Sequence, residues 1–258
     1  MTAARPLILI PHPDDEVVGC AIAIARARAT GASVAGLYLT TGVPAQERLW
    51  PWRRSSYAAL IARRREEAGR AAAALGISPA GYLDWPARTL KSHLDEAMAL
   101  IERTLGERHI DEIWAPAWEG GHQDHDVANF LAARFAGKLR VREFAEYNLA
   151  GGRVRSQTFV QSNGTEQVLM LTPEEARFKA ELLSIYRSER ANLRYVRLRQ
   201  ESMRPLARYD YRSAPHPGRL FCERFRWVPF HHPRVDFDRS EAVRSALAVW
   251  DSPAAPLR

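Results

Sequence analysis

Two short clusters hold the side chains best suited to chemistry: Pro11-His12-Pro13-Asp14-Asp15-Glu16 and Gly120-Gly121-His122-Gln123-Asp124-His125. Together they offer three imidazoles and several carboxylates. A catalytic divalent metal needs about three protein ligands and one open position for water. His12, Asp15 and His125 supply two nitrogens and one carboxylate. That set suits zinc and is compatible with iron(II) or another divalent ion. His12 and Asp15 are three residues apart and can converge at a strand-to-helix turn. Asp14, between them, projects differently and is free to take a proton from attacking water as a general base. His122 lies one helical turn before His125. It can donate a hydrogen bond to a developing oxyanion, with Asp124 fixing its tautomer or charge.

Capping accounts for part of this pattern. Asp14 and Glu16 suit a helix N-cap and first turn, and His122 and Asp124 suit the start of another helix. Two such clusters, each directly after an apolar strand, are not explained by capping alone. The elements that must position them are legible. Leu7 to Ile10 is a wholly apolar strand, as in a strand covered on both faces. A helix follows from Asp14 to Thr30, stopped at Gly31. Ser33 to Leu39 is a second strand, a long loop carries Trp50-Pro51-Trp52, and a helix runs from Ser55 to Leu75 with Gly76 as its stop. Tyr82 to Trp85 is a short strand, Leu94 to Leu105 a helix, Glu112 to Ala117 a strand, Asp124 to Phe135 a helix and Val141 to Tyr147 a strand. This alternation predicts an α/β fold, a Rossmann-like, mainly parallel sheet with helices on both faces. Ligands in such folds bind beyond the carboxyl ends of the strands, where both clusters fall.

The second half predicts a C-terminal hairpin and helix extension. Arg153 to Leu171 reads as a hairpin around Asn163-Gly164. Thr172 as N-cap, Pro173 at N1 and Glu175 at N3 open a helix that runs to about Arg190. No clear period follows. The expectation is a single domain over residues 1–258, with a core over about 5–150 and the hairpin and C-terminal region over 151–258.

Of the 258 residues, 37 are basic and 30 acidic, for a net charge of +7. Only Lys91, Lys138 and Lys179 are lysines, so 34 of the basic residues are arginines. An apolar fraction of 46% excludes a disordered or collagen-like chain. Cys20 and Cys222 are too few for a disulfide framework or a four-cysteine zinc site, which fits a reducing compartment. The run from Leu7 to Ile10 is too short for a signal segment, and no stretch approaches the roughly 18 apolar residues of a membrane span. A cytoplasmic protein without a membrane span is expected. The arginines are interleaved with acids, so no nucleic-acid partner is expected. No Gly-rich turn follows the first strand, which argues against a dinucleotide.

The PHPDDE string with the later HQDH string resembles the LmbE-like, or PIG-L-type, family of zinc-dependent N-deacetylases, whose motifs are (A/P)HPDDE and usually HPDH. Ala62-Arg63-Arg64-Arg65-Glu66-Glu67-Ala68 through Ala74-Leu75-Gly76 is similar to the family's R-x-E-E-A…LG helix. Gly218 to Phe225 resembles its G-x-x-x-x-E-x-F segment, so the likeness spans about residues 5 to 227. The resemblance implies a bound zinc and hydrolysis of an N-acetyl group, commonly on a glucosamine derivative. Carried over by position, His12, Asp15 and His125 bind metal. Asp14 is the base that later returns the proton to the leaving amine, and His122, supported by Asp124, stabilises the oxyanion. Arg65 corresponds to a family arginine near the substrate. Gln123 stands where the family often has proline, and Asp126 after the motif is unusual for it.

Further substrate candidates are Trp118, beside the second motif, and His216, ahead of the Glu223 segment. Trp50, Trp52 and Trp85 offer stacking walls, Glu146 and Tyr147 a pocket edge, and Cys20 reads as a small buried apolar residue. The expected partner is a small N-acylated amino sugar or sugar-containing metabolite. It is anionic if the arginine-rich stretch from Arg187 to Arg212 rims the pocket. Nothing in the pattern opposes a homo-oligomer. The alternative is a metal- or sugar-binding protein of the same fold that no longer catalyses, against which the intact acid, base and ligand positions argue.

Overall fold

In a computed structural model of the chain, residues 3–230 and 232–252 are described. Five strands run parallel: β1 (Pro6–Ile10), β2 (Ala35–Tyr38), β3 (Ser78–Tyr82), β4 (Glu112–Pro116) and β5 (Arg140–Phe144). Helices α1 (Asp15–Ala29), α2 (Tyr57–Leu75), α3 (Leu94–Glu107) and α4 (Gln123–Ala133) connect them. Two short strands, β6 (Tyr147–Asn148) and β7 (Arg155–Ser156), pair with each other. The main sheet is completed by β8 (Gln167–Met170) and β9 (Gln200–Pro205), which flank helix α5 (Pro173–Ile185) in the chain. Helix α6 (Ser240–Trp250) follows. The sheet order is β3-β2-β1-β4-β5-β9-β8, with β9 and β8 antiparallel to their neighbours.

Alternation along β1 divides the core. Leu7 and Leu9 face α3 and α4 through Ile101, Val127 and Leu131, while Ile8 and Ile10 face α1 and α2 through Ile24, Ala68 and Leu75. Burial on both faces is why β1 can be entirely apolar. The connections from β1 and β4 leave in opposite directions, so a crevice opens between the carboxyl ends of these two strands. The first cluster follows β1 and the second follows β4, so both meet there. No helix among the described residues is long and apolar enough to cross a membrane.

Three expectations differ from the structure. The third strand is Ser78–Tyr82 rather than Tyr82 to Trp85. It lies at the sheet edge, where Pro79, lacking an N–H, is tolerated. Arg153 to Leu171 is not a hairpin: β7 pairs with β6, and β8 pairs with β9. Asn163 and Gly164 do turn, because the Glu166 carboxylate accepts their N–H groups at 2.6 and 3.0 Å, but the turn joins no paired strands. Helix α5 carries the expected Thr172–Glu175 capping box and ends at Ile185, short of Arg190. Helix α6, which packs Val243 and Leu247 into the core, had no signal that was read from the sequence.

Helix α1 is broken at Cys20 (φ −148°, ψ 25°). The break leaves backbone groups that other elements satisfy. Val18 C=O accepts from Gln157 Nε2 at 2.7 Å and Lys179 Nζ at 2.8 Å. Glu201, paired with Lys179 at 2.7 Å, accepts the N–H groups of Ile22 and Ala23. Gly19 sits against the Phe144 ring at this point, where an added Cβ would lie 2.2 Å from Cδ2. Gly19→Ala is therefore expected to destabilise the protein by about 1–3 kcal/mol through overpacking. Denaturant unfolding checks this, and an unchanged midpoint would contradict the tight approach of α1 to β5.

Candidate functional site

Three donor atoms converge at the crevice. His12 Nδ1 is 3.3 Å from Asp15 Oδ2, His125 Nε2 is 3.2 Å from the same oxygen, and the two ring nitrogens are 3.2 Å apart. A tetrahedral ion with bonds of about 2.0–2.1 Å separates its ligands by roughly 3.3 Å. The spacing therefore fits a divalent metal before any side chain moves. His12 arrives from the end of β1, Asp15 from the first residue of α1 and His125 from the first turn of α4.

The two imidazoles are backed differently: His12 by a hydrogen bond, His125 only by a carboxylate beyond hydrogen-bond distance. His12 Nε2–H donates to Asp124 Oδ2 at 3.0 Å, leaving Nδ1 as the lone pair aimed at the cluster. His125 Nδ1 faces Glu146 Oε2 at 3.7 Å. Both Glu146 oxygens are buried without a hydrogen-bond partner, and burial, with Asp15 and Glu119 nearby, pushes this carboxyl well up. Burial opposes the charge on Asp15, but the His125 and His12 rings outweigh it and hold the carboxylate well below its ordinary value. Burial likewise opposes a charge on His12, yet Asp15 and Asp124 raise it to about 10. In the protein alone a proton fills the role of the cation, and a metal must compete with it.

Other sets of side chains also approach one another here: His12, His122 and His125, and Asp15, His125 and Glu146. Glu146 nears the ring nitrogen of His125 that faces away from Asp15, so it supports the histidine rather than joining its ligand face. His122 is the N-cap of α4, its Nδ1 accepting the Asp124 N–H at 3.1 Å. That bond leaves its Nε2 as the N–H donor. Burial, with His12 and His125 beside it, pushes His122 well below its ordinary value, so the donor is neutral. The backbone of Asp124 thus fixes the His122 tautomer. Its carboxylate, expected to support His122, lies 3.7 Å from His122 Nδ1 and accepts hydrogen bonds from His12, Arg88 N–H and Leu90 N–H.

Asp14 occupies the N-cap position of α1 without capping it. Its backbone sits at φ 128°, ψ −24°, a region that costs a non-glycine residue on the order of 1–3 kcal/mol. This conformation turns its side chain toward the pocket, where Arg64 Nη1 lies 3.3 Å from Oδ2. Burial pushes Asp14 well above the usual carboxylate range, with Arg64 opposing. Glu16 is taken by structure: it accepts the Asp14 N–H at 3.1 Å and the Tyr186 hydroxyl, and burial holds it up at about 7.

The donor cluster opens into a cavity of about 380 Å³ lined by Asp14, His122, Arg64 and Tyr147, and by residues from 188–195 and 221–236. Arg64, and not the expected Arg65, lines the cavity. On α2 the inward face is Arg64, Glu67, Ala68, Ala71 and Leu75, and one residue further turns Arg65 outward to an exposed pair with Asp84. Trp118 is not on the cavity wall; it is 4% exposed, packed edge-on to Tyr211 in the core. His216 is also off the wall, buried with Nδ1–H donating to the Pro217 carbonyl. Asp126 holds the loop before His122 by accepting the N–H groups of Glu119 and Gly120. Arg88, Tyr195, Arg224 and Asp236 line the cavity from loops and short turns, which have no periodic signal to place them.

A family model described as PIG-L: GlcNAc-PI de-N-acetylase matches residues 7–136, half of the chain. No curated protein sequence matches significantly. Among solved structures, a deacetylase of the teicoplanin biosynthesis pathway aligns at TM-score 0.62 and 20% identity, covering 80% of this chain and 99% of its own. The N,N'-diacetylchitobiose deacetylase of Pyrococcus horikoshii aligns at TM-score 0.52 and 21% identity over 72% of this chain and 71% of its own. The 4-carboxy-2-hydroxymuconate hydratase GalB of Pseudomonas putida aligns at TM-score 0.55 and 17% identity over 80% and 98%. At these identities the structural matches establish the α/β fold.

Metal content distinguishes the donor sets. After dialysis, His12→Ala, Asp15→Ala and His125→Ala are each expected to retain almost no metal by elemental analysis, whereas His122→Ala keeps it. Asp124→Asn is expected to weaken metal affinity by about 10–100-fold, as loss of a ligand's supporting partner does. Loss of metal from His122→Ala with retention in Asp15→Ala would reverse the assignment.

Proposed function

The chain belongs to the PIG-L family, and from that premise we propose that it is a divalent-metal-dependent amide hydrolase that removes an N-acetyl group from an amino sugar or sugar-containing metabolite. The observation that carries this reading is the 3.2–3.3 Å convergence of His12, Asp15 and His125, with Asp14 and a neutral His122 on the same cavity wall. Zinc suits the two-nitrogen, one-carboxylate set, and iron(II) is compatible with it. A divalent ion held there supplies Lewis acidity, making water acidic and polarising the acyl carbonyl.

The protein's own groups do the rest. Asp14 accepts the proton of the attacking water and returns it to the departing amine nitrogen, so one carboxyl acts as base and then as acid. Its raised proton affinity suits both halves of that cycle. Arg64 holds the carboxyl in place and sets a limit on how far burial can neutralise it. His122 Nε2–H donates to the carbonyl oxygen as negative charge builds there. A neutral donor gains strength from that charge without first having to lose a proton.

The presence of a hydratase among the structural relatives means that the fold alone does not select the reaction. Acetate release separates the two chemistries. With a panel of N-acetylated amino sugars, the metal-loaded protein is expected to release acetate and a free amine in equal amounts. Asp14→Asn is expected to keep its metal and lose about 10²–10⁴-fold in turnover. Unchanged turnover in metal-loaded Asp14→Asn would overturn the assigned role, and water addition without acetate release would overturn the reaction class.

A further inference from the structure

The cavity wall carries more positive than negative charge, and the surplus is localised. Arg64 is engaged by Asp14 at 3.3 Å and Glu189 at 3.5 Å, and Arg88 by Asp236 at 2.8 Å. Asp15 belongs to the metal donor set. Three arginines remain on the wall with no carboxylate in ion-pair contact among the described residues: Arg53, Arg224 and Arg234. Arg53 and Arg234 are exposed. Arg224 is half-buried, which makes its lack of a counter-ion the more costly.

Arg224 is also held in place. Its guanidinium carbon lies 3.6 Å from the Phe221 ring centroid and 4.5 Å from that of Phe225. Nη1 donates to the Phe221 carbonyl at 2.7 Å, which occupies one of five N–H donors and leaves the others free. Phe221 touches Tyr147 at 4.7 Å between centroids, and Tyr147 touches His125 at 5.5 Å. The guanidinium is therefore linked to His125 through two aromatic rings and lines the same cavity as His12, Asp15 and His122. Burial lowers the proton affinity of Arg224, and its neighbours, Asp236 among them, only partly oppose it.

We propose that Arg224, with Arg53 and Arg234 on the same wall, binds an anionic oxygen group of the substrate, a phosphate or a carboxylate. Its identification as part of an N-acylated substrate rests on the deacetylase reading; the selection for charge does not. A guanidinium stacked on an aromatic ring presents a planar fork that matches either anion. The arginine-rich stretch from Arg187 to Arg212, which would have supplied such charge had it rimmed the pocket, does not: Ser188, Glu189, Asn192 and Tyr195 line the cavity, and none of its arginines does.

The test compares N-acetylglucosamine 1-phosphate, N-acetylglucosamine 6-phosphate and N-acetylmuramic acid with neutral N-acetylglucosamine. Binding is measured on metal-loaded Asp14→Asn and turnover on the otherwise unchanged protein. At least one anionic compound is expected to bind more than about tenfold tighter than the neutral one, less so at high salt. The phosphate and carboxylate arms identify which anion is preferred. In Arg224→Gln that ratio is expected to collapse toward one, and Arg224→Lys to keep part of it. No anionic preference, or a preference equal in Arg224→Gln, would overturn the subsite. Tight anion binding without acetate release from any compound would uphold the subsite and sink the deacetylase reading. Acetate release without charge preference would do the reverse.

Discussion

One electrostatic constraint sits at the centre of this molecule: three buried donor atoms stand 3.2–3.3 Å apart, a spacing that a proton or a cation can bridge. Two imidazole lone pairs and a carboxylate oxygen at that spacing repel one another unless positive charge lies among them. With only the protein's own groups, the proton held by His12 supplies it. The surroundings make no other provision. Glu146 lies behind His125 with both oxygens unpartnered, and Asp14 is kept from full charge by burial. These are costs of the kind that a cation at the donor cluster would offset.

The scaffold meets that constraint by deforming the helix that delivers Asp15. At its start, Asp14 takes a left-handed backbone angle that points its side chain at the pocket instead of at the helix end. One turn later the helix breaks at Cys20, and the close approach of Gly19 to Phe144 brings α1 onto β5 beside Glu146. Lys179, Glu201 and Gln157 then satisfy the freed backbone groups. Removing one partner of such a buried pair typically costs about 3–5 kcal/mol.

The convergence of the two clusters was legible because their residues are tied to chain-local geometry. His12 to Asp15 occupy one strand-to-helix turn and His122 to His125 one helix start, so short spacing in sequence becomes proximity in space. The parallel sheet followed from strand and helix alternation. What was misread depended on phase or on distant partners. Arg64 and Arg65 differ by about 100° around α2, and only the buried Ala68, Ala71 and Leu75 decide between them. Trp118 adjoins the second motif in sequence, yet Tyr211 and the core claim it. Asn163-Gly164 announced a turn correctly, but a turn does not say which strand comes next to which. β8 joins β9, a partner about 30 residues away whose polar sequence gives no strand period.

The two halves of the chain contribute unequally to reactivity and to recognition. His12, Asp14, Asp15, His122 and His125 all lie within residues 7–136, the span matched by the family model. Much of the cavity wall comes instead from 188–195 and 221–236. Specific contacts bolt that wall to the chemistry. Glu67 holds Ser188 beside Arg64, and Arg88 pairs with Asp236 while its own N–H grips Asp124. Gln123, standing where related sequences often have proline, donates to Asp236 at 2.8 Å and accepts from Lys91 at 3.1 Å. A proline could make neither bond. The departure at Gln123 leaves the ligands untouched and fastens the C-terminal wall directly to the helix that carries His125. Changes in that wall can therefore alter which substrate is accepted while the donor atoms stay at 3.2–3.3 Å, because it is the wall and not the ligand set that the loops supply.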